Sequence, residues 1–250
     1  MKLSKKLLVI ASLLTTGTVL FAQSQSVQSK KSNSSSETSV ENEYLNDVDG
    51  EIIISLANAD DLDSKLVALQ YLQNAIEDGN TSDAVLKALD QLAGEGITTQ
   101  TRTNGRLMNN FPEVRRQACL LMSKVPTEHS KNTLVNIALA DNEPMVIAAA
   151  VKSLGEIGIN DNDEVVDAIA FANRKNEVLL PTSSLALEVL NAYEALADRT
   201  DNKKTMIDSI AKISVNYHYV TPVRQKAQKL LKQLSKSSND NSKKSEANAK

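Results

Sequence analysis

A covalent or metal-assisted reaction needs a nucleophile beside an activating base, or a cluster of imidazole, thiolate and carboxylate ligands. In 250 residues the chain offers one cysteine, Cys119, and two histidines, His129 and His218. Cys119 stands inside the helical apolar pattern VRRQACLLM and reads as a small buried residue rather than a reactive thiol. His129 is followed by Ser130, and neither histidine has a partner at a helical spacing that would orient its ring. These residues predict no catalytic group, no metal site and no cofactor. His218 has a different setting, Tyr217-His218-Tyr219. Two tyrosines around a histidine suit an exposed binding cluster, because Tyr is favoured at interface hot spots; a connector packed against the last two helices is the plainer alternative.

The elements that must position these residues begin well after the start of the chain. Lys2, Lys5 and Lys6 precede the uncharged apolar run LLVIASLL (7–14), the pattern of a secretory signal peptide over residues 1–22, cut after Ala22. Leu20 occupies a place where a small residue is preferred before the cut, so an uncleaved anchor is the alternative. The run is short for a bilayer span, which takes about 20 mostly apolar residues, and no later segment is long and apolar enough, so no transmembrane span is expected after signal removal. The chain is expected to be exported, periplasmic or extracellular, in a bacterium. A single cysteine makes no internal disulfide, so stability there would rest on packing.

Residues 23–42 hold almost nothing apolar and are expected to be a disordered linker, and residues 235–250 a disordered basic tail with four lysines against one Asp and one Glu. The full chain carries −3; losing the three lysines of the signal leaves −6, and the tail's +2 leaves −8 for residues 43–234. An ordered region this acidic argues against nucleic acid as a partner.

Between the tails, apolar residues recur at three and four positions, as in Leu62, Leu66, Leu69, Leu72 and Ile76, with almost no strand signal. The expected fold is all-α. Five windows align without gaps: SKLVALQYLQ (64–73), VRRQACLLMS (114–123), VIAAAVKSLG (146–155), TSSLALEVLN (182–191) and VRQKAQKLLK (223–232). Each has alanine at its fifth place, Ala68, Ala118, Ala150, Ala186 and Ala227, and a large apolar residue four places on: Leu72, Met122, Leu154, Leu190 and Leu231. A small residue followed by a large one at i+4 suits a helix pressed closely on its neighbour. Pro112, Pro144, Pro181 and Pro222 mark helix starts. Second helices are expected over about 82–93, 129–140, 163–173 and 202–214, with Ser82, Asp163 and Thr200 or Asp201 as N-caps.

These windows resemble the first helix of HEAT repeats, whose pattern runs Asp-Pro-x-Val-Arg-x-x-Ala before an apolar-Gly pair. Pro112-Glu113-Val114-Arg115 with Ala118 is the best match, and Pro144 to Gly155 keeps the Leu154-Gly155 pair, with Ile147 in place of the arginine. The aligned alanines lie 50, 32, 36 and 41 residues apart, which resembles the compact bacterial type. The resemblance implies a short right-handed α-solenoid of about four to five helical hairpins over 43–234, whose second helices line a concave face used for partners. HEAT-like di-iron hydroxylases carry a ring of His-Glu pairs absent here, and HEAT-like DNA glycosylases need a basic groove with aromatic stacking, which an acidic chain without tryptophan lacks. Bilin lyases share short HEAT-like repeats, but nothing local supports a pigment site.

The resemblance directs attention to surfaces. The connection over 94–111 is too long and polar for a hairpin link and reads as an inserted loop, with a small β-excursion over Thr98 to Thr103 and with Arg102 and Arg106 offered to a partner. Aligning the pairs Val85-Leu86, Leu134-Val135, Val165-Val166 and Met206-Ile207 puts Lys87, Asn136, Asp167 and Asp208 in one column of the concave face, with Gln91, Ala140, Phe171 and Lys212 a turn further. Phe171 is either an apolar spot there or a core residue between repeats. The expected function is non-enzymatic: a scaffold or adaptor binding a protein in the cell envelope or outside the cell. An accessory lyase or maturation factor working through the concave face is the alternative, and a purely structural envelope protein a third.

Overall fold

The computed structural model describes residues 40–248, with side chains over residues 48–235. The signal peptide over 1–22 and nearly all of the linker lie outside the described residues. Those described are mostly helical: α1 (Val40–Ala57), α2 (Leu62–Glu77), α3 (Asp83–Ala93), α4 (Pro112–Met122), α5 (Glu128–Ala140), α6 (Pro144–Ile157), α7 (Glu164–Leu179), α8 (Ser183–Leu196), α9 (Lys204–Val215) and α10 (Thr221–Asn248), with a two-stranded hairpin, β1 (Arg102–Thr103) and β2 (Arg106–Leu107), between α3 and α4.

Helices α2, α4, α6, α8 and α10 pack each on the next, and α1, α3, α5, α7 and α9 do the same in a second row against the first. The small-large pattern explains the first row. Ala68, Ala118, Ala150, Ala186 and Ala227 are all buried, and so are Leu72, Met122, Leu154 and Leu190; Leu231, on the terminal helix, is only partly covered. Gly155 continues the same logic, since a Cβ there would stand 2.8 Å from the Ala192 Cα, so its absence lets α6 and α8 approach closely. In the second row the aligned apolar pairs face inward, with Val85, Leu134, Val135, Val165, Val166 and Met206 buried and Leu86 and Ile207 partly so.

Several boundaries differ from expectation. Helix α1 begins at Val40, inside the stretch assigned to the linker, and buries Ile53 and Ala57 against the start of the array. Helix α7 runs to Leu179 rather than Asn173, because nothing breaks the helix until Pro181 forces Leu180 out of helical conformation. Helix α10 continues to Asn248 through the segment expected to be a disordered tail: from Val223 onward there is no glycine or proline to end it.

The caps also differ. Asp163 sits at the N-cap position of α7, yet its carboxylate accepts from the N–H groups of Asp201 and Asn202 at 2.9 and 2.7 Å, tying the α6–α7 turn to the α8–α9 turn. Asn160 takes over the local role, its Oδ1 accepting the Val166 N–H at 3.2 Å. Ser82 stands at its predicted position without a side-chain cap bond. Lys203, not Thr200 or Asp201, is the N-cap of α9, and Asn202 Oδ1 accepts the Lys204 N–H.

Candidate interaction surfaces

The structure places each residue of the predicted column on the solvent side of its helix. Lys87, Asn136, Asp167 and Asp208 are all exposed, one on each of α3, α5, α7 and α9, two places after an inward-facing apolar residue in each case. Helices α3 and α5 are clamped together beside it: Asp90 accepts hydrogen bonds from His129 Nε2 and from Thr133 Oγ1. Phe171 is 54% exposed, so it does not close the core. Next to it a polar groove of about 190 Å³ lies between α7 and α9, lined by Asn173, Arg174, Glu177, Asp208, Ser209 and Lys212 among others. A larger groove of about 450 Å³ lies in the other row, between α2 and α4, with the partly buried Ile76, Leu120 and Leu121 over the buried Leu69 as its apolar lining and Gln73, Gln117 and Lys124 among its polar lining.

The inserted connection is built, not loose. Its hairpin turns at Asn104-Gly105, with φ of 51° and 79°, the two positive values that a two-residue turn needs to match the twist of the strands. The first strand, 102–103, falls at the end of the expected excursion over Thr98 to Thr103, and its partner, 106–107, lies beyond it. Arg102 and Arg106 are both exposed, and the Arg102 guanidinium folds back onto Gln100 Oε1 and the Gly105 carbonyl. Beneath the hairpin, Glu95 is buried and accepts from Lys65 Nζ at 2.9 Å and Asn109 Nδ2 at 2.6 Å. Arg115, also buried, donates to the Glu95 carbonyl, to Asn110 and to the Asp141 carboxylate. Lys175 continues this chain of bonds by donating to the carbonyls of Leu139 and Asp141.

The two tyrosines have opposite fates. Tyr217 is 80% exposed and its ring lies over His218 with centroids 4.2 Å apart, whereas Tyr219 is buried, and burial together with the nearby Glu177 carboxylate pushes its hydroxyl up to about 12. Tyr217 thus remains available to a partner and Tyr219 does not. Around Tyr217 stand exposed Val178, Leu179, Leu180, Val215 and Val220, which the sequence reading did not single out. The signal was there, three consecutive large apolar residues before Pro181, but it looks the same as the end of a buried helix.

Of the side chains with reactive potential, Cys119 is fully buried and desolvation pushes its thiol up to about 12, so it is neutral and inaccessible. Among the described residues no group of three or more His, Cys, Asp or Glu side chains is placed to hold a metal ion, and no helix is long and apolar enough to cross a membrane. Comparison with family models, with curated proteins and with solved structures finds no match.

Proposed function

We propose that this chain is an exported, non-enzymatic protein-binding scaffold, a short right-handed α-solenoid of HEAT-like hairpins that presents the α3, α5, α7 and α9 face to a protein partner in the cell envelope or outside the cell. The observation that carries this reading is the column of Lys87, Asn136, Asp167 and Asp208, exposed at matched positions on four successively packed helices with the exposed Phe171 a turn away. A continuous strip of polar side chains around an apolar anchor suits recognition of an extended partner. Arg102 and Arg106, held on a hairpin with an anchored base, extend the contact with positive charge from an otherwise acidic body. The accessory-enzyme reading draws support from the polar groove beside Asp208, which has room for a small ligand.

The test is crosslinking in intact cells followed by affinity purification, comparing the parent with Phe171→Ser and with Arg102→Glu/Arg106→Glu. Loss of one specific protein from both variants supports the scaffold. Unchanged capture in both removes this face and the hairpin as the contact, and a small molecule retained by the purified protein, displaced in Asp208→Ala, favours the enzyme alternative.

A further inference from the structure

Six large apolar side chains stand in water at one end of the helical array. Val178, Leu179 and Leu180 lie where α7 gives way to α8, and Val215, Tyr217 and Val220 where α9 gives way to α10; each is between 53 and 80% exposed. Hydrogen bonds from Asn216 Nδ2 to Glu177 Oε1 and from the Val220 N–H to Ser183 Oγ, both 3.0 Å, join the two turns, so the six side chains form one patch. Singly scattered apolar residues on a surface are ordinary, but six on two tethered turns are not. The fold itself gains little from them, because each leaves most of its surface in water.

The charge around the patch opposes that of the whole chain. Segments 174–184 and 212–224 carry Arg174, Lys175, Lys212 and Arg224 against the single acid Glu177, in a chain of net charge −3. Lys175 is engaged by two backbone carbonyls and Glu177 by Asn216, which leaves the exposed Arg174 and Lys212 and the half-buried Arg224 as the cations at its rim. The turns at the other end of the same helices, 158–163 and 197–203, hold four aspartates against Arg199 and Lys203 and contribute none of the large exposed apolar side chains. The two ends are therefore chemically opposite.

Exposed apolar side chains on two joined turns, with three cations beside them and an exposed tyrosine among them, suit the boundary between lipid headgroups and acyl chains. There apolar side chains leave water, tyrosine sits at headgroup depth, and each cation near an anionic surface strengthens binding. A helical peptide would instead lay its apolar face in an apolar groove, and the groove nearest the patch is polar. We propose that this end of the molecule seats on an anionic lipid surface, with Val178, Leu179, Leu180, Val215, Tyr217 and Val220 entering the interface and Arg174, Lys212 and Arg224 meeting lipid phosphates. This contact borders the protein-binding face, sharing Arg174 and Lys212 with the groove beside Asp208, but it rests on the apolar tips and not on that reading.

The experiment uses the full chain carrying Leu179→Cys, labelled with an environment-sensitive fluorophore; native Cys119 is buried and escapes the label. A local probe is needed because the apolar run at 7–14 could itself carry the chain to vesicles. With phosphatidylcholine vesicles containing phosphatidylglycerol, the label at 179 brightens several-fold and shifts to the blue, more than with phosphatidylcholine alone. A label at Asp198→Cys, at the opposite end, stays unchanged. Replacing Arg174 and Lys212 by Gln weakens partition roughly ten-fold, read by vesicle titration after thermal melts show both variants folded. The idea is overturned if the label at 179 is silent while the protein pellets with anionic vesicles, if both labels respond equally, or if the shift appears without lipid and grows with protein concentration, which would make the occupant a second copy of the chain.

Discussion

Arg115 and Asp141 are 26 positions apart in sequence, yet Arg115 Nε meets Asp141 Oδ2 at 2.7 Å, with both side chains 1% exposed. The guanidinium leaves little unsatisfied, since it also reaches the Glu95 carbonyl and Asn110 Oδ1 and so fixes where the inserted connection enters α4. Asp141 in turn accepts the Glu143 N–H just before Pro144 opens α6. One ion pair thereby sets the junctions before two successive helices of the first row.

Removing one partner leaves the other charged and buried. Asp141→Ala is expected to lose about 3–5 kcal/mol of stability, and the double variant Arg115→Met/Asp141→Ala less than the sum of the two single changes. Urea denaturation of the four proteins measures the coupling. Additive losses would mean that the pair does not interact as the geometry indicates.

The close approach of α6 to α8 rests on a missing side chain. A Cβ at Gly155 would lie 2.8 Å from the Ala192 Cα and 3.0 Å from its Cβ. Gly155→Ala is expected to destabilise by about 1–3 kcal/mol despite alanine's better helix propensity. Adding Ala192→Gly restores part of the loss, because it removes one of the two obstructing atoms. A denaturant midpoint that does not fall in Gly155→Ala would place the two helices further apart.

How much of this was legible in the sequence varied with the physics behind each signal. The alanine windows foretold the buried seam because close packing leaves a strict size pattern, and the aligned apolar pairs foretold the exposed column because helical phase carries over from one element to the next. The weak alternation over Thr98 to Thr103 marked the strand before the Asn104-Gly105 turn but not its partner at Arg106–Leu107, which has no alternation of its own. What sequence could not reveal were pairings between distant residues: Lys65 with Glu95, Arg115 with Asp141 and Asp163 with the Asp201 and Asn202 amides depend on how rows of helices stack. The exposed leucines before Pro181 were hidden for a related reason, since only the neighbours decide whether an apolar helix end is covered.

Phe171 separates two ideas of the second row. At 54% exposed it contributes little to the core, so Phe171→Ser is expected to change stability by no more than about 0.5 kcal/mol. If the ring closed the space between repeats, the loss would be about 3–5 kcal/mol. A thermal melt of the variant distinguishes these outcomes and qualifies it for the capture experiment.

Cys119 gives the chain a pH signature. Burial, the largest cause, pushes its thiol from the ordinary 9.0 up to about 12, with the Asp141 carboxylate adding to the shift. The unfolded chain releases this proton at lower pH than the folded one. The thiol's contribution to stability is therefore fully present below pH 9 and declines as pH rises toward 12, by at most about 1.4 kcal/mol per pH unit. Lysines and tyrosines titrate in the same range, so the measurement is a difference: the urea midpoint of the parent should fall more steeply between pH 9 and 11 than that of Cys119→Ala. At pH 8 a thiol reagent should leave the native protein unmodified and react with one equivalent in urea. Rapid native labelling, or parallel midpoint curves for the two proteins, would mean that α4 opens to solvent at Cys119 and that the seam beneath Ala118 is looser than its burial implies.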